Sequence, residues 1–245
     1  MSETEVSGKS PVPAEQSPVS LAINVLTAPS AAFSVIKEKP TSLFPLAVVI
    51  LSTLLVTGWY FTVLDFDWYI DDTLSQLSDR SEAELEEIRE GMEFLSPNNM
   101  RWITLVTSGL SLMMIYLLQA SYLSLTAALR GDEIRFKQWW ALVAWSNLPA
   151  VLLALSMAVN ILLNPSGQIS IVDLNGLSLL ALGMETADPS INRILATVNL
   201  PTIWTLVLLV IGYRLWLQAG LARSVSIIFT PYLLIYGVWT FFAVS

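Results

Sequence analysis

Residues 40–64 read PTSLFPLAVVILSTLLVTGWYFTVL, a run of 25 residues without a single Asp, Glu, Lys or Arg. The hydrocarbon core of a bilayer is about 30 Å thick, so a helix needs roughly 20 apolar residues to cross it. Because lipid offers no partner to backbone N–H and C=O groups, a crossing segment must satisfy them internally, as a helix does. The stretch therefore predicts a membrane-spanning helix.

Four further stretches are equally free of charged residues: 102–129, 138–172, 194–213 and 224–245. Together they predict spans at about 43–64, 102–128, 139–163, 201–220 and 224–244. Aromatic residues lie near several span ends, as interfacial belts require. A chain of 245 residues is too short to surround five uniformly apolar helices with polar ones. We therefore predict an all-α membrane protein, a five-helix transmembrane bundle whose first partner is the lipid bilayer.

The composition also indicates a membrane protein, and it limits the reactions that the side chains could catalyse. Hydrophobic residues make up 54% of the chain and charged residues 13%, whereas a soluble domain carries about a quarter charged residues. The chain has no cysteine and no histidine, which excludes disulfides, thiolate nucleophiles and imidazole bases or ligands. The net charge of −8 gives no reason to expect a nucleic-acid partner, which requires a basic face.

The distribution of Lys and Arg predicts the orientation, because these residues favour the cytoplasmic ends of spans. Lys37 and Lys39 precede the first span, and three basic residues fill the short connection between spans two and three. Arg223 lies between spans four and five. All fall on one side if the N-terminus is cytoplasmic and the C-terminus is outside. Residues 1–20 are polar and are predicted to form a disordered cytoplasmic tail.

Two segments outside the spans have helical patterns. Residues 21–39 carry an apolar face that includes Phe33 and end in Lys37 and Lys39, which indicates an N-terminal interfacial helix; a non-inserted linker is the alternative. In the first outer loop, Ser81 and Glu84 match a capping box and begin an acidic amphipathic helix over about 81–95. Its apolar face would pack on the protein's own outer surface or bind a partner.

The third and fourth spans contain the unusual residues. Pro149 should kink the third span, with Ser146 and Asn147 beside it to satisfy the backbone. Arg214 is the only full charge inside a predicted span, where it would reach the interface or pair with a lipid phosphate or a carboxylate. The apolar segment 174–184 is too short to cross a bilayer and is interpreted as re-entrant or interfacial rather than a sixth span.

Motifs for catalysis are missing from the sequence. Acidic pairs occur at 65/67 and 71/72, but their spacing fits a solvated loop better than a Ca²⁺ or Mg²⁺ site. Neither a phosphate-binding glycine loop nor a nucleophile elbow occurs. We therefore expect no enzyme activity and no catalytic, cofactor or metal site. The candidate interaction or packing residues are Phe33, Lys37, Lys39, Asn147, Pro149, Trp204 and Arg214.

Three short motifs carry a family resemblance. They are Leu-Thr-Ala-Pro at 26–29 with Lys39-Pro40, Trp-Ser-Asn-Leu-Pro at 145–149, and Val-Asn-Leu-Pro-Thr-Ile-Trp at 198–204. Over about residues 20–244 the chain resembles the Yip domain family, the Ypt/Rab-interacting membrane proteins, in its bacterial branch. The resemblance implies a membrane domain at 21–244 with five helices, a cytoplasmic N-terminus and no catalytic residue. It also implies a multi-pass protein of the bacterial inner membrane.

Two functional hypotheses follow from these features. The first is a non-enzymatic membrane protein that organises or recruits partners or affects membrane shape, with a protein partner or self-association. The second is a transporter or permease subunit that moves a small solute through the helix bundle, suggested by the kinked third span, the 174–184 segment and Arg214.

Overall fold

The computed structural model describes residues 17–77 and 80–244. Over this part of the chain the protein is 78% helical and has no strand. The helices are α1 (Pro18–Thr27), α2 (Pro29–Glu38), α3 (Leu43–Val63), α4 (Phe66–Ser75), α5 (Glu82–Phe94), α6 (Pro97–Ala128), α7 (Phe136–Ser146), α8 (Ala150–Leu163), α9 (Ile171–Leu174), α10 (Pro189–Thr197), α11 (Leu200–Leu217) and α12 (Leu221–Val244). Residues 1–16, most of the predicted tail, lie outside the described residues.

Five of these segments are long and apolar enough to cross a membrane. They are Leu43–Val63, Pro97–Ala128, Phe136–Leu163, Leu200–Leu217 and Leu221–Phe242. The prediction of an all-α bundle with five membrane helices is confirmed. The helices differ in burial, since 56% of the α11 span is buried but only 6% of the α12 span. Helix α11 therefore lies at the centre of the bundle, and α12 lies at its edge, facing lipid.

The third span is broken into α7 and α8 at the predicted proline. After Asn147 the N–H groups of residues 150, 151 and 152 bond three residues back instead of four, which is the tighter 3₁₀ pattern. Pro149 cannot donate to the Trp145 carbonyl, which accepts from the Leu148 N–H at 3.3 Å instead. The Asn147 side-chain amide donates to the Val143 carbonyl at 2.9 Å. The Ser146 hydroxyl, in contrast, is buried without a partner among the described residues.

The predicted N-terminal interfacial helix is divided into α1 and α2. The break falls at Ala28, before Pro29, because proline cannot donate the N–H that would continue α1. Helix α2 packs against α11 and α7, and α1 packs against α2 and α7. Leu21, Val25, Ala32, Phe33 and Ile36 are all buried in the main hydrophobic core. The pair is thus part of the folded bundle.

The connections at the other end of the bundle form a layer of short helices. Helix α5 begins at the Ser81 cap, and both halves of the capping box with Glu84 are present. Its half-buried apolar face packs on α4, and Arg89 of α5 lies 2.9 Å from the Asp71 carboxylate of α4. The predicted 174–184 segment is non-helical after α9. Its backbone bonds to the connection between α10 and α11, where the Leu179 N–H donates to the Val198 carbonyl at 2.8 Å.

A close contact between α7 and α11 fixes the centre of the bundle. A Cβ built on Gly212 would lie 2.3 Å from Leu142 Cδ1 and 3.3 Å from Leu142 Cγ. Leu142 is itself fully buried, so it has little room to move. Only a glycine at 212 therefore allows the two helices to approach this closely, as small residues do between membrane helices.

We predict that Gly212→Val destabilises the bundle by about 1–3 kcal/mol, because the added methyl groups overpack the α7–α11 contact. The measurement is thermal or SDS unfolding of the purified protein in detergent. The matched control is Gly237→Val in α12, where a Cβ has no neighbour within 4 Å. Leu142→Ala should partly rescue Gly212→Val. Equal unfolding midpoints for the two valine variants would contradict the close contact.

Candidate interaction site at the basic end of the bundle

The charged residues divide the molecule into two unlike ends. The basic end consists of α2, the α6–α7 connection and the α11–α12 connection. It carries seven of the twelve Lys and Arg residues: Lys37, Lys39, Arg130, Arg135, Lys137, Arg214 and Arg223. Only Glu38, Asp132 and Glu133 oppose them there. The acidic end, residues 65–101 and 164–199, holds fourteen acidic and four basic residues in the sequence.

The structure gathers four of the seven candidate residues at the basic end. Phe33, Lys37, Lys39 and Arg214 belong to α2, its C-terminal cap and the last turns of α11. Asn147 and Pro149 lie instead at the break in the third span. Trp204 lies in the first turns of α11 toward the acidic end, with 39% of its surface exposed.

A clasp between α2 and the end of α11 organises the basic end. The Trp216 indole N–H donates to the Phe33 carbonyl at 2.9 Å, and the Lys37 ammonium donates to the Trp216 carbonyl at 2.9 Å. The second bond satisfies a carbonyl in the last turn of α11, where a cation is also favoured by the helix dipole. Gln138 of α7 donates to the Lys37 carbonyl at 2.8 Å and adds a third helix.

Buried aromatic rings support the clasp from within the bundle. The Trp139 ring lies 5.8 Å from Tyr213 and 5.4 Å from Trp216, measured between centroids. These distances are in the range of favourable aromatic pairs. A further indole bond, from Trp145 to the Thr41 carbonyl at 2.6 Å, ties α7 to the connection between α2 and α3. These ring contacts and hydrogen bonds fix the helices that carry the basic end relative to one another.

The sequence interpretation missed the partners of this clasp. The interfacial-belt pattern accounts for aromatic residues near span ends but predicts no hydrogen bond or ring contact for Trp216, Tyr213 or Gln138. The available signal was the density of Trp and Tyr at the start of the third span and the end of the fourth, which exceeds what an interfacial belt needs. The composition could suggest an aromatic core there, but it could not show which residues contact one another.

Two of the basic residues have different surroundings from Lys37. Lys39 caps α2 and is exposed. Arg214 is also exposed and lines a cleft of about 440 Å³ together with Ser30 of α2 and Gln218 of the α11 cap. Among the described residues, no carboxylate lies within 4 Å of either cation. Both charges are thus presented to the surroundings rather than used inside the fold.

The polar residues at mid-membrane depth link helices rather than line an open path. Asn147 donates to the Gln119 carbonyl oxygen at 3.2 Å, and the Gln119 amide donates to the Tyr232 hydroxyl at 2.5 Å. The third span, α6 and α12 are thereby joined. Pro231 leaves the Ile227 carbonyl without its helical N–H, and the Tyr122 hydroxyl of α6 donates to that carbonyl at 2.8 Å.

Two carboxylates at the acidic end accept hydrogen bonds that favour their charged form. The Gln168 amide donates to Asp65, the Trp68 backbone N–H does so as well, and both bonds hold the pKa of Asp65 below its usual value. The Ser81 backbone N–H and hydroxyl lower the pKa of Glu84 in the same way. Within residues 17–77 and 80–244 no group of three His, Cys, Asp or Glu side chains could hold a metal ion.

These features define a polytopic, all-α integral membrane protein with unlike charged ends. A comparison with protein families then identifies its relatives: the Yip1 domain matches residues 23–243. The chain therefore belongs to the Yip1 domain family, as the sequence motifs indicated. No curated protein matches the chain significantly, and no solved structure does. Membership of the bacterial branch stays a prediction.

We predict that Lys37→Met weakens the attachment of α2 by about 1–2 kcal/mol, because a charged hydrogen bond to the end of α11 is lost. Hydrogen exchange of residues 29–38 in the purified protein should speed up accordingly. Lys39→Met is the matched control, since its side chain makes no hydrogen bond within the described part of the chain. If the two variants exchange alike, the clasp does not hold α2.

We also predict coupling between Asn147 and Gln119. Each of Asn147→Leu and Gln119→Leu should destabilise the bundle by about 0.5–2 kcal/mol, the range for hydrogen bonds between membrane helices. The double variant should lose less than the sum, because either change alone breaks the shared bond. Unfolding in detergent measures all three variants, and strict additivity would contradict the link.

Proposed function

We propose that the protein is a non-enzymatic membrane scaffold that recruits an acidic protein partner to its basic end, on the cytoplasmic side of the inner membrane. The observation that carries this proposal is the rigid basic end itself. The Trp216 clasp holds α2 in place, while Lys39, Arg135 and Lys137 remain exposed around it. A fixed array of exposed cations is suited to select a partner of opposite charge and to speed its association.

The charge distribution also supports the proposed orientation. Positive residues favour the cytoplasmic ends of spans, and seven of the twelve lie at the basic end. An N-terminus in the cytoplasm and a C-terminus outside follow from five crossings. The family is a non-enzymatic membrane family, which agrees with a role in binding rather than catalysis.

Self-association would use a different surface from partner recruitment. Two basic ends repel each other, and the acidic end lies on the opposite side of the membrane. Helices α6 and α12 have broad lipid-facing surfaces, with only 11% and 6% of their spans buried. A second copy would therefore pack along these helices within the bilayer and leave the basic end available to an acidic partner.

The cavities of the bundle favour scaffolding over solute transport. A groove of about 500 Å³ between α6 and α12 is edged by Leu118 and Ile235, which are more than 60% exposed, so it opens sideways to lipid. The groove, the basic-end cleft and a third cavity beside α10 share no lining residue. A transported solute would instead need a connected path between the two ends.

We predict that a photo-crosslinking amino acid at position 137 captures a discrete acidic protein in intact cells. Capture should fall when Lys39 and Arg135 are changed to Gln, because the charges that attract the partner are removed, and it should weaken at high salt. The matched control places the same crosslinker at position 101, at the acidic end.

Adducts of equal pattern from positions 137 and 101, or no adduct from 137, would contradict recruitment at the basic end. Solute flux into proteoliposomes that Asn147→Ala abolishes would establish the transporter hypothesis in its place.

A further inference from the structure

The cleft around Arg214 has two kinds of wall. Ser30, Arg214 and Gln218 supply polar groups, while Val210, Ile211 and Leu215 supply an apolar face on α11. Its volume is about 440 Å³. The cleft therefore suits a ligand that is polar at one end and apolar at the other.

The position of the cleft along α11 sets its depth in the membrane. Arg214 lies three residues before Leu217, where the span ends, which corresponds to about 4.5 Å at 1.5 Å per residue. Val210 and Ile211 lie about one turn deeper. The guanidinium is thus at the boundary between headgroups and hydrocarbon, where an arginine on a span extends toward phosphate.

The chemistry of the polar wall favours an anion. Arg214 presents donors that no carboxylate of the described residues occupies, and the exposed Ser30 hydroxyl lies across the cleft. Guanidinium groups bind phosphate through parallel hydrogen bonds. Gln218 adopts a left-handed conformation, with φ of 49°, and this turn brings the start of α12 to the edge of the cleft.

We propose that this cleft binds an anionic phospholipid of the leaflet at the basic end, with its phosphate on Arg214 and Ser30. The glycerol and the first methylenes of the chains lie along Ile211 and Leu215. A soluble phosphate would satisfy the cation but would leave this apolar wall uncovered, so the lipid is the better match. The site extends beyond the proposed recruitment of a protein, which uses the exposed Lys39, Arg135 and Lys137.

The test uses the full-length protein in detergent, with lipid binding followed by native mass spectrometry. Phosphatidylglycerol is compared with phosphatidylcholine of the same chain length. Wild type should retain phosphatidylglycerol preferentially, and Arg214→Gln should weaken its binding about tenfold, the effect of losing one charge-assisted hydrogen-bond pair. Arg223→Gln is the matched control, since Arg223 is exposed at the same end but does not line the cleft.

Further variants separate the possible outcomes. Ile211→Trp, which fills the apolar wall and keeps the charge, should also reduce lipid retention. Equal effects of Arg214→Gln and Arg223→Gln would overturn the site in favour of general surface charge. Displacement of the lipid by millimolar inorganic phosphate would overturn it in favour of a soluble ligand. Photo-capture at position 137 is independent of all these results, so the lipid site and partner recruitment can fail separately.

Discussion

Backbone hydrogen bonding inside lipid is the constraint on which this structure depends. A carbonyl or N–H left open in hydrocarbon costs several kcal/mol, so each interruption of a span needs a local substitute. Pro149 leaves the Trp145 carbonyl without its usual helical N–H, and this carbonyl accepts from the Leu148 N–H at 3.3 Å as the next turn tightens. At Pro231 the freed Ile227 carbonyl accepts from Tyr122 of a neighbouring helix. The substitute bond at Pro231 thus also joins α12 to α6, which explains why a polar side chain of α6 faces α12 inside the membrane.

Backbone groups at the ends of the spans must also be paired, and here side chains from other helices supply the partners. The last carbonyls of α11 lack helical partners, and Lys37 from α2 bonds one of them. The Trp216 indole N–H in turn donates to the Phe33 carbonyl. The end of a membrane helix and an N-terminal helix therefore stabilise each other. The exposed cations around this clasp therefore project from packed helices rather than from a mobile tail. The proposed recruitment of a partner and the proposed binding of a lipid both depend on that arrangement.

The sequence predicted the features that arise from local physics. Span number followed from uncharged length, the start of α5 from the Ser81 capping box, and the break in span three from Pro149. It could not predict where the 21–39 segment packs, because an apolar helical face looks the same whether it covers lipid or protein. Nor could it pair Trp216 with Phe33, which lie 183 residues apart. Long-range partners of this kind leave no periodic signal in a single sequence.

The proposed role depends most directly on which end of the bundle faces the cytoplasm. Because the chain has no cysteine, single cysteines can be introduced at Glu133, Glu90 and Glu185 and labelled with a membrane-impermeant maleimide in intact cells with a permeable outer envelope. If the basic end is cytoplasmic, positions 90 and 185 are labelled and position 133 is protected until the inner membrane is opened. Labelling at 133 in intact cells, with protection at 90 and 185, would contradict this orientation.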